Sequence, residues 1–268
     1  MNLTPLLKLY ARRRRKILAA QDPIATQERE WTKLLSRAAN TKFGHDHGFT
    51  KIKSISDFQK AVPLRRYDDF WKSYWKPAFP RIENVTWPGL VPYFAVTSGT
   101  TSGASKYIPV TPEMNRANTR AGLDLLSHHV AARPQSQVFA GKSFMLGGST
   151  DLVREADNVW SGDLSGIAVK RLPWWAKGFA FPPLEIALLT DWEEKLNRLA
   201  KLSVQTDIRV LTGTPSWLLI LFDKLSANAG RNVTAHDVYP HLDLLIHGGV
   251  NFKPYRARFE EFLAGGAE

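Results

Sequence analysis

Thr97-Ser98-Gly99-Thr100-Thr101-Ser102-Gly103-Ala104-Ser105-Lys106 gathers hydroxyls, two glycines and a terminal lysine into one short polar stretch. Glycines let the backbone approach an anion closely, hydroxyls and successive amides donate hydrogen bonds, and lysine adds charge. The composition therefore suits a phosphate grip. Tyr93-Phe94-Ala95-Val96 precedes it and Tyr107-Ile108-Pro109-Val110 follows, both aromatic and β-branched, so a strand is expected on each side. That setting excludes a Walker loop, in which Gly-Lys-Ser/Thr runs straight into a helix, because Ala104 and Ser105 separate Gly103 from Lys106. Gly99 and Gly103 also fail the Gly-x-Gly-x-x-Gly dinucleotide spacing. Two readings stay open at this point, a nucleotide-phosphate loop of another kind and a polar hairpin with no ligand.

The rest of the composition narrows the class. With 268 residues, 44% of them hydrophobic, the chain can build a packed core. It has no cysteine, which excludes disulfides, thiolate metal sites and a catalytic thiol. No apolar run is long enough to span a bilayer, and Met1 to Gln21 lacks the features of a signal peptide, so a cytoplasmic location is expected. The net charge of +11 and the run Arg12-Arg13-Arg14-Arg15-Lys16 raise a second class, a non-catalytic protein binding nucleic acid or an anionic membrane. No nucleic-acid recognition motif accompanies the charge. Leu3, Leu6, Leu7, Leu9, Tyr10, Ile17 and Leu18 instead predict a helix whose apolar face docks on the body and leaves the arginines solvated. An anionic small-molecule substrate accounts equally well for the basic excess.

The first part, to about residue 80, reads as mostly helical. Asp22-Pro23 opens a helix ending near Asn40 to Gly44, and Ser56 with Asp57 starts a short one. Between them, His45 and His47 stand two apart without a third convincing metal ligand, which favours a structured turn. Tyr67, Phe70, Trp71, Tyr74 and Trp75 recur at near-helical spacing and read as core rather than a base-stacking platform. After the polar loop, Thr111-Pro112-Glu113 caps a helix reaching about Ala131. A strand at Ser143 to Leu146 ends in Gly147-Gly148-Ser149-Thr150-Asp151, where Asp151 replaces the second glycine of a nucleophile elbow. Leu172 to Pro183 reads as an irregular apolar segment that either walls a hydrophobic substrate pocket or covers a sheet.

The final third alternates regularly. Thr190-Asp191-Trp192-Glu193 caps a helix, Ile208-Arg209-Val210-Leu211 forms a strand ending in Thr212-Gly213-Thr214, and Pro215 opens the next helix. Leu242 to Ile246 makes another strand, ending in His247-Gly248-Gly249, and Pro254 begins a last helix. This order predicts an α/β chain with a parallel sheet covered by helices, and ligands in such sheets sit beyond the carboxyl ends of strands. If the two strands are neighbours, their glycine turns line one crevice where a flat ring can approach the backbone. Two ordinary strand-to-helix turns are the alternative.

The polar loop resembles the ATP-binding loop of adenylate-forming enzymes, whose acyl- and aryl-CoA ligases read Ser/Thr-Ser-Gly-Thr-Thr-Gly-x-Pro-Lys. Here one residue is inserted and the proline is absent. That spacing resembles the Gretchen Hagen family of auxin-responsive acyl acid amido synthetases and its bacterial relatives. Phe43-Gly44 with His47-Gly48-Phe49, Gly213-Thr214-Pro215-Ser216-Trp217 and His247-Gly248-Gly249 through Tyr255 carry the likeness along nearly the whole chain.

The resemblance implies the large N-terminal domain of an adenylate-forming enzyme, a mixed or parallel sheet flanked by helices, spread over residues 1–268. It implies a ligase that adenylates a carboxylic acid with ATP and passes the acyl group to an amino acid. Its partners are then small molecules, with neither nucleic acid nor a transmembrane segment required. Ser98, Gly99, Thr100, Thr101 and Ser102 take phosphate contacts, Thr97, Gly103 and Lys106 complete the motif, and Gly248 and Gly249 border the adenine. Family members continue into a Tyr-x-x-Ser-Glu motif that helps hold Mg2+, a ribose-binding aspartate and a C-terminal domain. All of these would lie beyond Glu268. The resemblance thus assigns no catalytic carboxylate or metal ligand within the chain and implies an incomplete domain with impaired activity. A CoA ligase is the rival within the same chemistry.

Overall fold

In the computed structural model, which describes residues 2–97, 105–148, 151–189 and 191–264, eight strands form two sheets. They are β1 (Tyr93–Thr97), β2 (Lys106–Val110), β3 (Lys142–Leu146), β4 (Leu152–Ala156), β5 (Val159–Gly162), β6 (Ala180–Phe181), β7 (Ile208–Gly213) and β8 (Leu244–His247). One sheet runs β2-β1-β5-β4 and the other β6-β3-β7-β8. The chain divides into two compact units, Lys16–Ala117 with Leu152–Ser161, and Met1–Arg15 with Asn118–Asp151 and Gly162–Glu268.

Helices lead the first of these units because the sequence caps them. Asp22 accepts from the Ala25 amide with Pro23 in the first turn of Pro23–Ala38, and Thr41 accepts from the Gly44 amide. The short helix is Ile55–Ala61, one turn position earlier than expected, because Ser54 rather than Ser56 meets the Asp57 amide. Tyr67–Phe70 passes into a π-helical turn, Trp71–Trp75, closed by the Lys76 amide on the Trp71 carbonyl at 2.8 Å. Tyr74 is buried in one cluster with Phe43, and Phe70 and Trp75 pack against it, so Phe70, Tyr74 and Trp75 are core as their spacing predicted, while Tyr67 and Trp71 are half-buried beside it. β1 and β2 pair antiparallel, with Tyr93 opposite Val110 and Thr97 opposite Lys106. The strand expected on each side of the polar stretch is present.

In the other unit every pairing is parallel, β6 to β3, β3 to β7 and β7 to β8. A register shift between Lys142 and Ser143 puts Ile208 and Leu211 on one face. Phe144, Leu211, Leu218, Leu221 and Phe222 fill that face beneath the helices Trp192–Ser203 and Pro215–Ala229. Val210 and Leu244 face the other side and meet Leu7, Ala11 and Val130. Helices thus cover both faces of a parallel sheet, the α/β arrangement the alternation predicted.

Several boundaries differ. The last helix is Arg256–Leu263, with Pro254 in the preceding turn. Leu172 to Pro183 holds a short helix, Trp174–Lys177, and the two-residue β6 instead of an irregular wall. In Thr4–Ala19 the docked side is Thr4, Leu7 and Ala11, whereas Leu6, Leu9, Tyr10 and Ile17 are exposed. Leu6 is turned about 100° from Leu7, and the arc that docks here is narrow, centred on Thr4, Leu7 and Ala11.

Candidate functional site

The ends of the polar loop are held firmly. Thr97 and Lys106 close the β1–β2 ladder as direct partners, so the loop leaves and re-enters the sheet at one point. The Lys106 ammonium stands 5.3 Å from the Tyr67 ring centre, and the Tyr67 hydroxyl accepts from the Tyr107 amide at 2.9 Å. Burial pushes the Tyr67 phenol above its ordinary pKa, keeping it neutral, and the Tyr107 bond opposes that shift. Trp71 stacks on Tyr67 and on Tyr107. The aromatic residues that read as core therefore also brace the mouth of the loop. Ser98, Gly99, Thr100, Thr101, Ser102 and Gly103 lie outside the described residues.

In the parallel sheet three strand ends come together. Leu146 pairs with Gly213, and Gly213 with His247, so Gly147-Gly148, Thr214 and Gly248-Gly249 emerge side by side from the carboxyl edge. The neighbour relation on which the crevice depended is present, and β3 adds a third wall. The glycines serve different ends. At Gly213 a Cβ would stand 3.1 Å from the Leu146 carbonyl oxygen and from Leu218, so close packing requires it. Gly249 has φ +88°, a left-handed backbone, whereas a Cβ on Gly248 would meet nothing within 4 Å. Beside them His247 stacks on Phe252 with ring centres 3.9 Å apart.

Lys195 was not anticipated. It lies on the helix Trp192–Ser203, is 3% exposed, and donates to the Gly148 carbonyl at 2.9 Å and the Ala187 carbonyl at 2.8 Å. A Cβ on Gly148 would sit 2.6 Å from an Asp163 carboxylate oxygen and 3.3 Å from the Trp217 ring. Lysine, aspartate and tryptophan thus fix the turn after β3 from three sides. The available signal was a lysine on the buried stripe of an amphipathic helix. Burial pushes its ammonium below the ordinary lysine range, with Asp163 opposing. The neutral amine keeps two hydrogens, enough for both carbonyls. Because the unfolded chain holds this proton more tightly, stability rises with pH between the depressed folded value and about 10.4. Lys195→Met should lower stability by about 2 kcal/mol, since one buried and one half-buried carbonyl lose their donor, and should abolish that alkaline rise. Urea unfolding across pH measures both.

A model of the GH3 family N-terminal domain, the Gretchen Hagen family, matches residues 14–152 and 150–267. The chain belongs to the GH3 family. No curated protein matches it by sequence. Among solved structures it is similar to a GH3.15 acyl acid amido synthetase, at TM-score 0.61 and 16% identity over 75% of this chain and 36% of that one. It is also similar to AtGH3.15 in complex with 2,4-DB, at TM-score 0.60 and 18% identity over 74% of this chain and 34% of that one. An open conformation of 2-hydroxyisobutyryl-CoA ligase, in complex with 2-HIB-AMP and CoA, aligns at TM-score 0.55 and 18% identity over 90% of this chain and 51% of that one. The fold is that of adenylate-forming N-terminal domains, and the chain spans between a third and a half of these proteins' lengths.

The histidine pair and a charged cluster at the start of the helix Pro112–Ala132 resolve as packing within this GH3 family chain. His47 Nδ1 donates to the Phe43 carbonyl at 2.7 Å and Nε2 accepts from Arg65 at 3.0 Å, so neither nitrogen is left for a metal. The Arg65 guanidinium lies over the rings of Phe43, Phe70 and Tyr74, and the segment is a short helix, Lys42–Asp46, with His47 at its end, rather than the structured turn expected. Arg116 pairs with Glu113, which also receives Arg37 and the Trp87 indole. Burial pushes the Glu113 carboxyl up, but its own amide, Trp87 and the two arginines outweigh that and hold it below the usual range. Among the described residues no helix is long and apolar enough to cross a membrane.

Proposed function

We propose that this chain supplies the nucleotide-gripping N-terminal domain of an ATP-dependent ligase that activates a carboxylic acid as its acyl adenylate. A carboxylate oxygen attacks the α-phosphorus, the α–β bridge breaks and pyrophosphate leaves. An amino acid amine then attacks the acyl carbonyl, AMP departs, and an amide remains. The observation that carries the reading is the closed hairpin base, Thr97 opposite Lys106, in a chain matched along its length by the GH3 family model.

The loop has no nucleophile to offer; it positions phosphate and stabilises charge as the α-phosphorus becomes five-coordinate. Ser98, Thr100, Thr101 and Ser102 donate through hydroxyls and amides, Gly99 and Gly103 allow close approach, and Thr97 and Lys106 anchor the ends. Gly248 and Gly249 border the adenine, where the backbone is bare. Gly248→Val should leave the melting temperature unchanged and weaken ATP binding at least tenfold, about 1.4 kcal/mol or more. Equal affinity would remove Gly248 from the site. The family resemblance also implies Mg2+. Among the described residues no group of three or more His, Asp or Glu stands together to hold one.

The amine is preferred to CoA as acceptor because the inserted loop residue matches the amido synthetase spacing. Carboxylate-dependent exchange of labelled pyrophosphate into ATP tests the reading, with aromatic, jasmonate-like and fatty acids as substrates. Exchange with one acid class, followed by amide rather than thioester formation, is expected. Exchange with none would overturn adenylation, and thioester formation would overturn the choice of acceptor.

A further inference from the structure

Along the helix Thr4–Ala19, Leu6, Leu9, Tyr10, Arg13, Lys16 and Ile17 recur at three- and four-residue spacing and form one stripe. Its apolar members are 63%, 65%, 37% and 46% exposed for Leu6, Leu9, Tyr10 and Ile17. The opposite stripe is the docked one, through Thr4, Leu7 and Ala11, with Arg14 paired to Asp124 at 2.6 Å. Scattered exposed leucines need no explanation, but four large apolar side chains aligned on one face do.

Charge identifies the occupant. Arg13 and Lys16 lie within the stripe, Arg12 flanks it, and the helix carries no acidic residue. A protein surface covering this face would have to desolvate these cations. A nucleic acid would neutralise them and leave the leucines in water. A bilayer with anionic headgroups satisfies both, taking the leucines, Tyr10 and Ile17 into the acyl boundary and the cations among the headgroups. We propose that this helix face binds the surface of an anionic lipid bilayer, lying in the interface plane. The net charge of +11 steers the chain toward such a surface. The inference is independent of the nucleotide reading.

Cosedimentation of the 268-residue chain with phosphatidylcholine vesicles, with and without phosphatidylserine, tests it. Binding to the phosphatidylserine vesicles and little to the neutral ones is expected. Arg12→Gln, Arg13→Gln and Lys16→Gln together should lower partitioning on the order of a hundredfold. Leu6→Ser with Leu9→Ser, at unchanged charge, should lower it about tenfold. These side chains face solvent, and circular dichroism confirms that the helices persist; Leu9→Ser with Ile17→Ser is the second apolar pair. No binding to phosphatidylserine vesicles, equal binding to neutral vesicles, or binding untouched by both apolar pairs would overturn the proposal. Tight single-stranded RNA binding in place of vesicle binding would overturn it too.

Discussion

Gly44→Ala should destabilise the helical unit by more than about 3 kcal/mol, the range of severe core disruptions. A Cβ at Gly44 would stand 2.1 Å from the Ala38 carbonyl oxygen, 2.7 Å from that of Ala39 and 2.9 Å from the Ala39 carbonyl carbon. All three are backbone atoms at the end of the preceding helix. They cannot rotate away as a side chain would. The same junction is fixed by the Thr41 hydroxyl, which donates to the Ala38 carbonyl at 2.7 Å and accepts from the Gly44 amide. Next to it, Phe43 sits at the centre of the aromatic cluster, against His47, Phe49, Phe70 and Tyr74. Moving the helix aside would therefore unpack the cluster. Gly48, four residues on, has φ +61° with nothing within 4 Å of a Cβ, so Gly48→Ala should cost only about 1 kcal/mol. Urea unfolding followed by tryptophan fluorescence separates the two, and equal midpoints would contradict the packing account.

The second large effect concerns chemistry. Ser98→Ala should lower the rate of acyl adenylate formation by roughly a hundredfold to a thousandfold, the usual loss for one preorganised donor to a developing anion. Such a donor strengthens its bond as negative charge accumulates, so kcat should fall more than KM rises. Lys106→Ala removes a charge whose position is set by the Tyr67 ring, and Tyr67→Phe keeps the ring while deleting the acceptor of the Tyr107 amide. Tyr67→Phe should therefore act through hairpin stability, by about 1 kcal/mol, with a smaller loss of rate. Pyrophosphate exchange and thermal melting, measured on the same variants, distinguish the two roles.

The features legible in the sequence were those with local causes. Proline and capping residues marked helix starts at Pro23 and Pro215, aromatic and β-branched runs marked β1 and β2, and short apolar runs between helices marked β7 and β8. Glycines after the last two strands pointed to the crevice edge. β4 and β5 were missed because Leu152–Ala156 mixes charge with apolar residues on a half-exposed edge, so no clean alternation marks it. The turn between them needs a left-handed residue, which Asn158 supplies at φ 61° without a glycine to announce it. Lys195 escaped because its partners are carbonyls distant in sequence or in another turn, which no periodicity encodes. The outward stripe of the first helix was assigned inward because its leucines are apolar on both sides, and hydropathy alone does not choose between two such faces. In the Phe43 to Phe49 segment the family likeness reflects packing. Gly44 makes room, Gly48 reverses the chain, and His47 is held by Arg65.

The central claim is that the Thr97–Lys106 hairpin grips the phosphates of ATP. Calorimetric titration of the 268-residue chain with ATP, beside the Ser98→Ala/Thr100→Ala double variant, tests it most directly. A saturable 1:1 isotherm that pyrophosphate competes away, and a dissociation constant at least tenfold weaker in the double variant, about 1.4 kcal/mol or more, are predicted. No ATP heat, or the same dissociation constant in both proteins, would contradict it.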